Sequence, residues 1–197
     1  MSNRHKTEKG ATLVEAAIAY GLLFLTLFAV AEFGLAFKDW LSVSHASRGG
    51  ARSGATFGDD PSADILVLRD VEGTMAPIGL AAGNTVRVYR ANSPNVNASE
   101  TYTYSPGTEC GTAGTWMGTP NPLPGCCDWS PCPELGRPNY QTPTWDPASR
   151  DITAPVTDRI GVEIFFTHSW VTGFFGNDLD LNTATDFQIE PQLFDAP

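Results

Sequence analysis

The feature that most constrains this chain is the apolar stretch over residues 10–37, GATLVEAAIAYGLLFLTLFAVAEFGLAF. From Ala16 to Ala31 it contains no charged residue. A transmembrane helix needs about 20 apolar residues to cross roughly 30 Å of hydrocarbon. Apolar residues beyond Glu15 and Glu32 extend the uncharged core at both ends. The stretch is therefore long enough to span a bilayer, with one acidic residue near each interface.

The segment before this stretch carries a net positive charge, with Arg4, Lys6 and Lys9 against Glu8. Basic residues that flank a transmembrane helix stay on the cytoplasmic side of the membrane. We therefore expect the N-terminus to be cytoplasmic and the rest of the chain to be extracytoplasmic.

A cleaved secretory signal peptide is a second interpretation of the same residues, because Ala29–Ala31 resembles a small-residue cleavage site. Two features disfavour it. Glu15 interrupts the front of the apolar region, where an acid is costly. The apolar periodicity also continues past the triplet along one helical face, at Phe33, Phe37, Trp40 and Leu41. A third interpretation is an ordinary single-pass anchor that carries an extracytoplasmic binding domain.

The start of the stretch is similar to the processing site of type IV prepilins and pseudopilins, with Glu15 at the fifth place after Gly10. In that class a prepilin peptidase cuts after the glycine, so the resemblance implies a mature chain that begins at Ala11. Its new α-amine would be positively charged near neutral pH. Glu15 is a physical partner for this amine, on the same or a neighbouring subunit, because an unpaired charge in low dielectric is costly.

The wider pattern resembles the opening of TadE-like proteins of the Flp (tight adherence) pilus system. That pattern has a Gly-Ala-x-x-Val-Glu start, an apolar span closed by Glu-Phe-Gly, and an Ala/Arg/Gly-rich stretch. It is carried here by Gly10, Ala11, Val14, Glu15, Glu32, Phe33, Gly34, Arg48, Gly50, Ala51 and Arg52. Ala16 stands where the Flp major pilins have Tyr or Phe, so an uncut member of the family stays an alternative.

The resemblance implies a membrane-tethered minor pilin or pseudopilin that is needed for the assembly of Flp-type pili and so for cell adhesion. It would lie in the bacterial inner membrane, with or without incorporation into the pilus. Its partners would be the lipid bilayer, the prepilin peptidase, and other pilin subunits with the assembly machinery.

We expect three regions along the chain: a basic leader at 1–10, a pilin-type helix at 11–56, and an extracytoplasmic α+β domain at 57–197. Small residues collect near the end of the long helix. They could admit another helix at close range or could simply end the rod, and we favour the second interpretation. These residues are Ala46, Gly49, Gly50, Ala51, Ser53 and Gly54.

The pattern after the long helix predicts a second helix and a small sheet. Asp59-Asp60-Pro61 is typical of a helix start, and the apolar side of this helix runs to about Thr74. Alternation of apolar and polar residues predicts strands over 85–90 and 157–168, with shorter strands over 101–104 and 186–190. These elements together predict an α+β fold with an antiparallel sheet.

Residues 92–157 contain 11 of the 15 prolines and all four cysteines, and they predict an inserted loop. An even number of cysteines behind a membrane-targeting segment is typical of disulfides in an oxidising compartment. Joining neighbouring cysteines would strain the peptide between them. We therefore predict two disulfides, each using one of Cys126 and Cys127, with Cys110 and Cys132 as their partners in either order. The loop's aromatic residues either form an adhesive surface or pack a small core: Trp116, Trp129, Tyr140 and Trp145.

No sequence motif points to catalysis: HExxH, GxSxG, a phosphate-binding loop and a dinucleotide-binding glycine pattern are all absent. We expect neither enzyme activity nor a cofactor. Asp178, Asp180 and Asn182 have the spacing of a calcium loop. However, Thr183 and Ile189 stand where such a loop needs Gly and Glu, so we favour a turn with solvated acids over a metal site.

The charge balance argues against nucleic acid as a partner. The chain has a net charge of −10, and from Gly54 onward it has 18 acidic and 6 basic residues, a net charge of −12. Nothing in it resembles a basic face for phosphates.

Overall fold

The computed structural model describes residues 4–92, 98–106, 115–116, 119–120, 128–134, 140–153 and 155–191. The helices are α1 (Arg4–Phe57) and α2 (Ala63–Met75), with a 3-10 turn at Pro147–Ser149. The strands are β1 (Thr85–Arg90), β2 (Ser99–Tyr104), β3 (Thr115–Trp116), β4 (Thr119–Pro120), β5 (Trp129–Ser130), β6 (Arg159–Ser169) and β7 (Asp178–Gln188). The predicted α+β fold is confirmed. The chain divides into two compact units. The smaller unit consists of Met1–Asp39 and His168–Leu179, and the larger unit consists of Trp40–Thr167 and Asp180–Pro197.

The main sheet is antiparallel, with strand order β5-β2-β1-β6-β7. In the central pair Val86 lies opposite Ile164 and Val88 lies opposite Val162. All four side chains are buried, because alternate residues of a strand point to the same face. The alternation that predicted β6 is therefore the alternation that builds the core.

Two elements differ from the sequence prediction in extent. The last strand begins at Asp178 rather than at residue 186: Leu179 and Leu181 alternate with Asp178 and Asp180, but the aspartates also have the spacing of a calcium loop, which favoured a turn. Part of the 92–157 segment also belongs to the main sheet, through β2 and β5. Trp129 and Trp145 are buried in the core of the larger unit, so these two loop aromatics do not form an adhesive surface.

The small residues near the end of α1 admit neighbouring elements at close range, and the prediction that they simply end the rod is wrong. A Cβ atom at Gly50 would lie 2.9 Å from Val71 Cγ2, and one at Gly54 would lie 2.6 Å from Ile160 Cδ1. Ser47 Oγ also donates a hydrogen bond of 2.8 Å to the carbonyl oxygen of Val162. This end of α1 therefore packs directly on α2 and β6, and the helix continues to Phe57.

A buried ionic network ties α2 to the sheet and to the 92–157 segment. The carboxylate of Asp64 accepts hydrogen bonds from the Arg150 guanidinium and from Tyr102 Oη, the latter at 2.6 Å. The Arg150 guanidinium lies 4.5 Å from the ring centroid of Trp145. Burial and the nearby Asp64 carboxylate raise the pKa of Tyr102, because the phenolate would be both desolvated and repelled.

We predict that Gly54→Leu destabilises the larger unit by about 1–3 kcal/mol, because the added side chain overlaps Ile160 and Val67 in a packed interior. Gly73→Leu is the matched control, since a Cβ at this helical glycine meets no atom within 4 Å. Both changes gain the same helix propensity. Chemical unfolding in detergent, followed by tryptophan fluorescence, measures both. Equal stability of the two variants would contradict this packing.

We predict that Tyr102 makes the fold sensitive to alkali. In the unfolded chain a tyrosine ionises near pH 10, whereas the raised pKa keeps Tyr102 neutral in the folded chain. Its contribution to stability is therefore complete below pH 10 and falls above it by about 1.4 kcal/mol per pH unit. Tyr102→Phe lowers stability at pH 8 by about 1–3 kcal/mol, since Asp64 loses a buried donor. It also flattens the decline above pH 10; parallel pH profiles for the two proteins would refute the assignment.

Candidate functional site

The apolar part of α1 is exposed along its length. The large side chains from Leu13 to Phe37 are between 43% and 73% exposed. Residues Thr12–Phe57 include a window with mean hydropathy 2.2 that has no buried residue. The helix is long and apolar enough to cross a membrane.

Glu32 closes this apolar part and is the one acidic residue there that is buried, with 2% of its surface exposed. Its carboxylate accepts hydrogen bonds from the backbone N–H groups of Val171 (3.0 Å) and Thr172. Both donors lie in the turn that joins β6 to β7, residues 170–177, which we call the hairpin tip. A carboxylate with two N–H donors satisfies its charge without water, so Glu32 joins the tip to the helix.

Aromatic rings surround the Glu32 contact. The Phe33 ring centroid lies 5.6 Å from that of Trp170 and 4.9 Å from that of Phe175. The Trp170 and Phe175 rings are in turn 5.5 Å apart. Edge-on and tilted arrangements at these distances are favourable for aromatic pairs. A small apolar cleft adjoins this cluster at Phe175. It is lined by Leu25, Phe28, Ala29, Thr172, Phe174 and Phe175.

A second polar contact lies about two helical turns further along α1 and outside the apolar span. His168 Nδ1 is 2.7 Å from Asp39 Oδ2, and the histidine is 5% exposed. Its ring meets the Trp170 ring edge-on, with centroids 5.0 Å apart. Glu32 and Asp39, seven residues apart on one face of the helix, therefore both contact the end of the hairpin.

The hairpin tip has the backbone of a tight turn. Gly173 and Gly176 have φ angles of +71° and +110°, a region that side chains with a Cβ rarely occupy. Trp170 N donates to the carbonyl oxygen of Asn177 at 3.1 Å, which closes the turn. The two glycines therefore make the turn possible, while Glu32 fixes it to the helix.

The site residues that the sequence predicted lie elsewhere. Gly10 and Ala11 lie on α1, and the side chain of Glu15 is exposed. Cys110, Cys126 and Cys127 are outside the described residues, so the disulfides stay a prediction, and Cys132 is buried.

The calcium candidates are part of β7, not of a turn, so the turn interpretation is wrong. Asp178 accepts a hydrogen bond from Ser169 Oγ and Asp180 accepts one from Thr167 Oγ1. Within the described part of the chain, no three His, Cys, Asp or Glu side chains are grouped as a metal site.

The sequence analysis treated Glu32 as an interface marker and as part of the TadE-like pattern, and it missed the contact of Glu32 with the hairpin tip. Two signals point to it: an acid placed at the end of an apolar span, which is costly without a partner, and the uncharged run WVTGFFGN between two polar strands. Only the fold shows that these two features meet.

Residues 10–52 match the sequence model of the TadE family, described as TadE-like protein. The N-terminal segment of this chain is TadE-like. The match covers the exposed apolar part of α1, Glu32 and Phe33, and Gly50, whereas Gly54 lies beyond it. No curated protein and no solved structure matched the chain significantly. The residues that match this model lie on the apolar helix that is long enough to cross a membrane.

We predict that Glu32→Gln loosens the hairpin tip, because the amide nitrogen of Gln cannot accept one of the two N–H groups. Amide exchange measured by mass spectrometry should accelerate by about tenfold or more in peptides over 168–179, since bonds to charged acceptors are the stronger class. Glu15→Gln is the matched control: it makes the same change on the same helix, and we expect it to leave these peptides unchanged. Unaltered exchange in Glu32→Gln would refute the contact.

Proposed function

We propose that this protein is a minor pilin or pseudopilin of the TadE-like kind, which acts in assembly of Flp-type pili by lateral association through α1. The observation that carries the proposal is the exposed apolar helix inside the TadE-like match. Such a surface is unfavourable in water and needs lipid or other apolar helices around it. Once such helices are in a membrane, van der Waals packing and polar contacts drive their side-by-side association.

The proposed orientation places residues 1–10 in the cytoplasm as a leader and the domain at 57–197 outside the inner membrane. The basic residues before the apolar span support this orientation. A prepilin peptidase would remove the leader after Gly10, and the new α-amine of Ala11 would be about four residues from Glu15, within one turn of the helix. Other pilus subunits are the partners that the TadE-like segment suggests.

Glu15 supports association between subunits rather than within one chain. Its side chain is exposed on an apolar helix, and a lone carboxylate at the edge of hydrocarbon is costly. Pairing with the terminal ammonium of a neighbouring subunit would remove this cost and set the register between two helices. This gives the acid a physical role in assembly without any catalytic chemistry.

The N-terminus of protein isolated from membranes tests the processing step. We predict Ala11 as the first residue, and Met1 for Gly10→Leu, because a large side chain at the cut site should exclude the peptidase. Gly21→Leu is the control, since no atom lies within 4 Å of a Cβ built there, and it should still begin at Ala11. A wild-type chain that begins at Met1 would contradict processing, and one that begins at Glu32 would indicate a secreted protein.

Assembly itself is tested with Glu15→Gln, which we expect to reduce cross-linking to other pilus subunits by about tenfold or more. The reason is that an ammonium left unpaired in low dielectric costs several kcal/mol. A loss of 1.4 kcal/mol in association free energy already lowers the affinity tenfold. Glu190→Gln is the matched control, because Glu190 is exposed and belongs to the larger unit, whereas Glu15 belongs to the smaller one. Normal cross-linking of Glu15→Gln would refute the pairing role.

A further inference from the structure

The hairpin tip differs in composition from the rest of the domain. Residues 170–177, WVTGFFGN, contain no charged residue, although the chain from Gly54 onward has a net charge of −12 from 18 acidic and 6 basic residues. The apolar side chains of the tip are also unusually exposed: Val171 is 76%, Phe174 is 71% and Phe175 is 46% exposed. An exposed apolar patch of this kind marks an interaction surface.

The tip is continuous with the apolar surface of α1. Phe174 and Phe175 line the same cleft as Leu25, Phe28 and Ala29. These three helix residues belong to the uncharged span, where the expected neighbour is lipid. Whatever surrounds the helix at this level therefore also surrounds the tip.

At least five of the eight backbone N–H groups of the tip donate hydrogen bonds within the chain. Val171 and Thr172 donate to Glu32, and Trp170 donates to the carbonyl oxygen of Asn177. Phe174 N donates to Thr172 Oγ1 at 3.4 Å, and Gly176 N donates to the carbonyl oxygen of Gly173 at 3.3 Å. Exposed loops normally leave such groups to water, whereas a loop that enters lipid cannot.

We propose that the hairpin tip inserts into the outer interfacial layer of the bilayer that α1 spans, as a second membrane contact of the domain. This inference rests on the membrane anchoring proposed above. Phe174, Phe175 and Val171 contact the acyl chains, and Trp170 lies at the level of the headgroups, where tryptophan is enriched. The Glu32 contact supplies the acceptors that the tip backbone needs there.

The dimensions agree with an interfacial depth. About 20 helical residues cross the hydrocarbon, so a span that begins near Ala11 ends near Val30, just before Glu32. Leu25 precedes Glu32 by seven residues, or about 10 Å along the helix axis. Interfacial elements bury their apolar faces to about 5–10 Å, which is the depth that Phe174 and Phe175 reach beside Leu25.

Tryptophan reporters in the full-length protein test the insertion. The protein is reconstituted at high lipid excess in vesicles of phosphatidylethanolamine and phosphatidylglycerol, with or without lipids brominated at carbons 6 and 7 of one acyl chain. Bromine quenches tryptophan only at close range. We expect the emission added by Phe174→Trp, relative to the parent protein, to be lost in brominated vesicles, and the emission added by Val171→Trp to behave in the same way.

Two controls separate the tip from the anchor. Val156→Trp places a reporter on a side chain that is 69% exposed in the other unit, and we expect no quenching there. Phe28→Trp places a reporter inside the span, and we expect its emission to be lost. Quenching of Phe28→Trp without quenching of either tip reporter would overturn the insertion while the anchor stands. Absence of quenching at Phe28→Trp would overturn both.

A neighbouring protein subunit is the other occupant that the experiment detects. If the tip packs against a second copy, the Phe174→Trp emission shifts to shorter wavelength but survives in brominated vesicles. That result would also overturn the proposal, since it places protein rather than lipid against the tip.

Discussion

An apolar helix without protein around it is the constraint on which the rest of this structure depends. The large apolar side chains from Leu13 to Phe37 stay 43–73% exposed, and burying a large apolar side chain is worth about 1.5–3 kcal/mol. Because these side chains stay exposed, folding of the single chain does not gain that free energy. Such a surface is unfavourable in water, and this is the physical basis on which we propose a protein that works by association with lipid and with neighbouring helices.

The two acids that flank the span show how position changes the role of one chemical group. Glu15 is exposed on the helix and has a use only in relation to another charge. Glu32 is buried against backbone N–H groups and has its use inside the chain, where it joins the hairpin tip to the helix. The fold meets the cost of the carboxylate at Glu32, whereas in the function proposed above assembly would meet the cost at Glu15.

The core of the larger unit depends on close approach. Gly50 and Gly54 allow α1 to pack directly on α2 and β6, and the buried network of Asp64, Arg150 and Tyr102 joins α2 to β2 and to the segment before β6. Removing one partner of such a buried network is costly because the remaining charge stays desolvated. The Pro-rich 92–157 segment is therefore part of the fold that supports the sheet, through β2, β5, Trp129 and Trp145.

The sequence alone determined the features that depend on local pattern: the apolar span, the α+β order, and the strand with inward-facing Ile160, Val162 and Ile164. These follow from residue periodicity, which is local. The sequence did not predict that the small residues of α1 allow close packing on α2. Such residues are equally compatible with a helix–helix contact and with the end of a helix. Nor did the sequence predict the start of β7, where the alternating aspartates also suit a turn, or the contact between Glu32 and a turn about 140 residues later. Those depend on which surfaces meet, and only the tertiary structure decides that, since a carboxylate and two backbone N–H groups carry no sequence signal of their pairing.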